Sequence, residues 1–203
     1  MLEVVDYEDV QLLPPQEYDL HWTDYEDTHM VCSLLHDRRE ILEIGTFLGH
    51  TCENICRVTH RDARITTVDI TKEILPEGLE YQDHEILDEQ DSGREIALKH
   101  EYKVNEIKAF SDDFFASNTQ TFDAIFIDGD HSYEQVRKDT ENALRVLKPG
   151  GILIWHDVYN KDGVGDHKCQ AEPNHNDTRI FLEQEFPFTA KKIGRSWVAF
   201  YEN

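Results

Sequence analysis

Long apolar runs are missing from this chain of 203 residues; none approaches the ~18 residues that a membrane span needs, so no membrane partner is expected. Cysteine is scarce. Four are present (Cys32, Cys52, Cys56 and Cys169), and the Cys52/Cys56 spacing puts that pair on one helix face as packing, so a secreted disulfide framework is not indicated. Basic residues are few as well: 20 Lys and Arg stand against 42 Asp and Glu, a net charge of −22. Phosphate contacts need clustered Lys and Arg, so nucleic acid is not expected as a partner. The first residues, MLEVVDYEDVQLLPP, lack a signal-peptide pattern, and a cytoplasmic location is expected.

Compact apolar runs are present, and their order sets the fold class. Residues 1–23 are acidic and aromatic, broken by Pro14-Pro15, and read as an arm that packs on the domain or on a neighbouring copy, which leaves a homo-oligomer open. Residues 24–203 read as one domain. Helices are expected at 24–35, 50–58, from Ser92 to Tyr102, at 132–147 and at 177–185, with Ser111 capping a short one. Strands are expected at 41–44, 64–70, 104–110, 122–128 and 152–155, with a closing hairpin at 188–193 and 196–201. Strands alternating with helices predict an α/β, Rossmann-like doubly wound fold, with a mostly parallel seven-stranded sheet and a C-terminal antiparallel hairpin. Residues 159–176 read as a polar lid.

The chemistry lies where strands end. Phe122 to Val158 reads FDAIFIDGDHSYEQVRKDTENALRVLKPGGILIWHDV: two buried strands, each finishing in ionisable residues. Such residues gather at the carboxyl edge of a parallel sheet, where ligands bind. Upstream, Glu43-Ile44-Gly45-Thr46-Phe47-Leu48-Gly49-His50-Thr51 places G-x-x-x-G between strand and helix, either a simple turn or a close backbone approach to a ligand. Asp69 ends the next strand, where a carboxylate can accept ribose hydroxyls or cap a helix.

Glu43-x-Gly45-x-x-x-Gly49, Asp69, Asp128-Gly-Asp-His131 and Lys148-Pro-Gly-Gly151 together resemble a class I S-adenosylmethionine-dependent methyltransferase. The IDGDHSYE…LKPGG…HD run is most similar to methyltransferase family 24, the small family that includes macrocin-type sugar O-methyltransferases, and more distantly to catechol O-methyltransferase. The resemblance spans about residues 25–202. It implies that Glu43, Gly45, Thr46, Gly49 and Thr51 surround the methionine part of S-adenosylmethionine. It further implies that Asp69 holds the ribose, that Ser111 and Asp112 bracket adenine, and that Asp128 lines the cofactor site. Asp128, His156 and Asp157 match metal positions, and His131 matches the general base of the sugar-modifying relatives. At position 156 the metal-dependent relatives carry a carboxylate. Two carboxylates and an imidazole suit Mn²⁺, Fe²⁺ or Zn²⁺ better than Mg²⁺. Otherwise His156 and Asp157 only form hydrogen bonds, and His131 only caps the following helix.

The reading that follows is an S-adenosylmethionine-dependent O-methyltransferase acting on a small hydroxylated molecule, a sugar or a phenol, with a divalent metal such as Mg²⁺ or Mn²⁺. The alternatives are a metal-independent N- or C-methyltransferase and a non-catalytic cofactor-binding interaction subunit.

Overall fold

The computed structural model describes residues 1–18, 20, 23–75, 86–93, 96, 103–159 and 177–203. The expected helix from Ser92 to Tyr102, the lid at 159–176 with Cys169, and the candidate arm contacts His21 and Trp22 lie wholly or largely outside the described residues. In chain order the described elements are β1 (Leu2–Val5), α1 (Tyr25–Leu35), β2 (Glu40–Ile44), α2 (His50–Val58), β3 (Arg64–Asp69), β4 (Val104–Lys108), α3 (Ser111–Ser117), β5 (Phe122–Ile127), α4 (Tyr133–Val146), β6 (Leu147–Trp155), α5 (Asp177–Gln184), β7 (Ala190–Ile193) and β8 (Ala199–Glu202).

The strands form one sheet of eight, in the order β1-β7-β8-β6-β5-β2-β3-β4. β8 runs antiparallel to β6 and β7; the other pairings are parallel. The seven expected strands are all present, and the arm supplies an eighth: Leu2–Val5 pairs in parallel with Ala190–Ile193 at the edge. The sequence LEVV is too short for its alternation to be told from chance, which is why it reads as arm.

Alternation along the central strands fills two cores. Leu42, Ile44, Ile125, Ile127, Leu153 and Trp155 face one side, with Phe114, Val136, Ala143, Phe181 and Phe186 from α3, α4, α5 and the segment after α5. Ile41, Ala124, Phe126, Ile152 and Ile154 face the other, against Met30, Val31 and Leu35 of α1 and Cys52 and Ile55 of α2. A strand buried on both faces has no polar alternation, as FDAIFI shows.

Lys148-Pro149-Gly150-Gly151, expected as a turn leading into the strand, lies within β6. The register shifts there: Phe122 pairs with Leu147 while Ala124 pairs with Ile152, so extra residues bulge from β6. Gly150, at φ +75°, takes the left-handed conformation the bulge requires. Among the described residues no helix is long and apolar enough to cross a membrane.

Candidate active site

The sheet order reverses between β2 and β5, and the carboxyl ends of these strands open the crevice where α/β folds bind ligands. Two chains of contact converge there.

The first is the glycine loop. Gly45 donates from its backbone to Val68 O at 2.8 Å, and Asp128 donates to Ile44 O at 2.8 Å. This draws β2, β3 and β5 so close that a Cβ on Gly45 would sit 2.1 Å from Asp128 O; its φ is +97°. Asp69 braces the loop. Its Oδ2 accepts from the Thr46 and Phe47 amides at 3.2 and 2.6 Å, and its Oδ1 from Ile70 at 2.9 Å. A carboxylate offers about four acceptor positions, so one remains for a ligand. Burial raises the Asp69 pKa, opposed by those amides and by Lys108. Gly49 caps α2 at φ +92°, and Thr51 lies in its first turn.

Glu43 is 0% exposed. Its Oε2 accepts from Thr67 Oγ1 at 2.6 Å, and Thr67 Oγ1 in turn lies 2.6 Å from Thr46 Oγ1. Burial lifts the Glu43 pKa to about 8, against the Thr67 hydrogen bond and with the nearby Asp128 charge.

The second chain starts at the end of β6. His156 Nδ1 lies 3.1 Å from Asp128 Oδ1 and 3.2 Å from Asp157 Oδ2, while Nε2 lies 3.2 Å from Asp27 Oδ2. His131 Nδ1 lies 2.9 Å from Asp157 Oδ2, and Tyr159 donates to Asp157 Oδ1 at 2.9 Å. Asp157 reaches both histidines from a left-handed backbone, φ +57°, uncommon for a non-glycine and a mark of strain found at functional sites. Burial disfavours the charged forms, but the ion pairs win. His156 is held well above an ordinary histidine by Asp157 and Asp128, and Asp157 well below an ordinary aspartate by His131 and His156. His131 is raised to about 9, chiefly by Asp157 against the opposing cost of burial.

A raised histidine pKa stabilises the fold fully below the ordinary 6.5 and ceases to do so as pH climbs through about 9. Metal-free protein is therefore expected to lose melting temperature between pH 6.5 and 9. His131→Ala should reduce that slope, and a wild-type melting temperature that climbs with pH over this window would refute the ion pair.

Asp128, His156 and Asp157, chosen from sequence, do converge: one ligand atom from each lies within 4.8 Å of the other two. This donor set fits a divalent transition metal. Ser111 departs from its expected place as a helix cap. Phe110 is the N-cap of α3, without a side-chain cap bond, and Ser111 accepts from Gln135 Nε2 at 3.0 Å. Asp112 accepts from Asn142 at 3.2 Å. Both side chains are thus turned to α4, whose polar face competes for them. Sequence reasoning missed Asp27, Thr67 and Tyr159. The first-turn acid of a helix beginning at an Asp24 N-cap gives no sign of reaching a strand end 129 residues away.

The fold is that of the class I methyltransferases. It matches a Staphylococcus aureus protein provisionally assigned as a caffeoyl-CoA O-methyltransferase (20% identity, TM-score 0.66, 92% of this chain and 86% of that one). It also matches cofactor-bound Rv0187 from MTB (19%, 0.62, 91% and 82%). A third match is the O-methyltransferase TomG from Streptomyces achromogenes, in complex with SAM (19%, 0.56, 84% and 74%). No curated protein matches the chain. The methyltransferase domain family matches residues 42–158, more than half of the chain and the stretch from within β2 to just past β6. The chain belongs to that family and is an S-adenosylmethionine-dependent methyltransferase.

Proposed function

We propose that the protein is an O-methyltransferase acting on a small hydroxylated acceptor, a sugar or a phenol, with a divalent metal held by Asp128, His156 and Asp157. The observation that carries this reading is the His131–Asp157 pair, 2.9 Å apart, beside the Asp128/His156/Asp157 cluster. Glu43, Gly45, Thr46, Gly49 and Thr51 would surround the methionine portion of the methyl donor. Asp128 would lie at its edge, and Asp69 would accept one ribose hydroxyl at its remaining acceptor position. Ser111 and Asp112 would bracket adenine.

Bound there, S-adenosylmethionine would supply a methyl group on a sulfonium sulfur, and a divalent cation would supply positive charge that favours an ionised acceptor and offsets the carboxylates that keep His131 protonated. The remaining difficulty is the acceptor, since a phenol has a pKa near ~10. With Nδ1 engaged by Asp157, His131 keeps Nε2 for the acceptor proton, and Asp157 stabilises the imidazolium that results. Asp128 and Asp157 carry the negative charge that would retain a cation. Residues 24–203 would form the catalytic domain and residues 1–23 its arm, in a cytoplasmic enzyme with no nucleic-acid or membrane partner.

Calorimetry with S-adenosylhomocysteine is expected to give one site, and methylation of a panel of phenols and sugars is expected to stop on chelation and return with Mn²⁺. Turnover that survives chelation in metal-free protein would favour the metal-independent reading instead.

A further inference from the structure

Asp27 stands outside the crevice in sequence but not in space. It sits in the first turn of α1, only 2% exposed. Its Oδ1 accepts from the Trp197 backbone amide at 2.8 Å, and its Oδ2 lies 3.2 Å from His156 Nε2. One buried carboxylate thus ties α1 to the segment before β8 and to the residue after β6. A hydrogen bond to the Trp197 amide fixes the rotation of the carboxyl group, so Oδ2 is aimed at the ring and not free to swing away.

We propose that Asp27 is a positioning residue for the metal: it holds His156 as the Nε2–H tautomer, leaving the Nδ1 lone pair aimed between Asp128 and Asp157. The inference rests on the metal reading above and deepens it. A ligating histidine commonly donates its other ring N–H to a carboxylate, which sets the tautomer and the ring plane and makes the ligand more basic. Here the geometry is already in place. Nε2 faces Asp27 Oδ2 on the α1 side, and Nδ1 faces Asp128 Oδ1 at 3.1 Å and Asp157 Oδ2 at 3.2 Å. Asp157 and Asp128 favour the doubly protonated ring in the metal-free protein, so a cation must displace one proton, and of the two neutral forms only Nε2–H satisfies Asp27 and also offers a lone pair. The Nδ1–H form satisfies the two carboxylates and offers none. Asp27 therefore selects between a metal-ready ring and one that merely bridges acids. The class of ion follows from the nitrogen it helps present: Mn²⁺, Fe²⁺ or Zn²⁺ ahead of Mg²⁺.

Asp27→Asn tests this with little change of shape. The amide oxygen can still accept from Trp197. The amide nitrogen, however, presents N–H to Nε2 and so favours the Nδ1–H tautomer. Titration calorimetry of metal-free protein with Mn²⁺ is expected to show binding to the wild type and an affinity lower by about 10–100-fold in Asp27→Asn. Unchanged Mn²⁺ affinity in a folded Asp27→Asn protein would overturn the proposal while leaving the metal reading intact. Failure of the wild type to bind Mn²⁺ would overturn both. Should the variant not fold, ¹⁵N imidazole shifts of the wild type with Zn²⁺ decide the matter. A His156 ring protonated at Nε2 and metal-bound at Nδ1 supports the role, and the reverse pattern ends it.

Discussion

His131→Ala is expected to lower methyl transfer by about 10²–10⁴-fold, the range associated with a positioned general acid or base. S-adenosylhomocysteine affinity should change by no more than about threefold, because His131 pairs with Asp157 while Asp69 braces the glycine loop. The split between turnover and cofactor affinity is the informative readout. A comparable loss in both would mean that His131 supports the architecture of the crevice and does not handle the proton. The pH profile supplies a second check. In the metal-free protein Asp157 lifts His131 to about 9, and a cation on Asp128 and Asp157 would bring that value down. Turnover of the wild type should climb with pH as His131 gives up its proton, and that climb should vanish in His131→Ala.

Gly45→Ala is expected to be the most destabilising substitution of a single methyl group in the crevice. The added Cβ meets a backbone carbonyl at 2.1 Å, not the end of a flexible side chain, and the backbone at φ +97° is unfavourable for any L-residue. Overpacking and left-handed strain each cost about 1–3 kcal/mol, for a combined loss of about 3–5 kcal/mol. That is a large fraction of the ~5–15 kcal/mol stability of a typical domain. Gly150→Ala separates the two causes: Gly150 also has positive φ, +75°, but nothing lies within 4 Å of its added Cβ. Its loss should be about 1 kcal/mol. Equal losses in urea unfolding would show that the approach of Gly45 to Asp128 is unimportant.

Much of this crevice was legible because parallel sheets force ionisable residues to the ends of apolar strands. Asp69, Asp128, His156 and Asp157 each follow such a run, and the run itself marks the position. Gly45 was legible for the complementary reason, as the residue on which β2 turns. What stayed hidden depended on side-chain reach across the chain. Asp27 looks like any acid in a first helical turn. Thr67 looks like one more β-branched strand residue until its hydroxyl is seen between Glu43 and Thr46. Ser111 follows a strand and opens a helix, which is the pattern of a cap, yet Gln135 claims its oxygen. Lys148 to Gly151 carry the composition of a turn, and only pairing with the neighbouring strand shows them as a bulge.

The edge strand β1 has a bearing on the order in which the molecule assembles and comes apart. Its partner β7 lies at the far end of the chain, with the Met1 ammonium donating to Phe188 O across 187 residues. So distant a pairing bears one of the larger closure entropies in the fold and belongs late in folding. By the same token its amides should exchange with deuterium ahead of those in β2 and β5. Tyr7, just past β1, hydrogen-bonds Glu26 and accepts from the Arg195 amide. Transient release of this edge is therefore expected to remove one tether of the helix turn that carries Asp27. Isotope exchange at the first residues and ring orientation at His156 should then fluctuate together, although the two belong to opposite ends of the sequence.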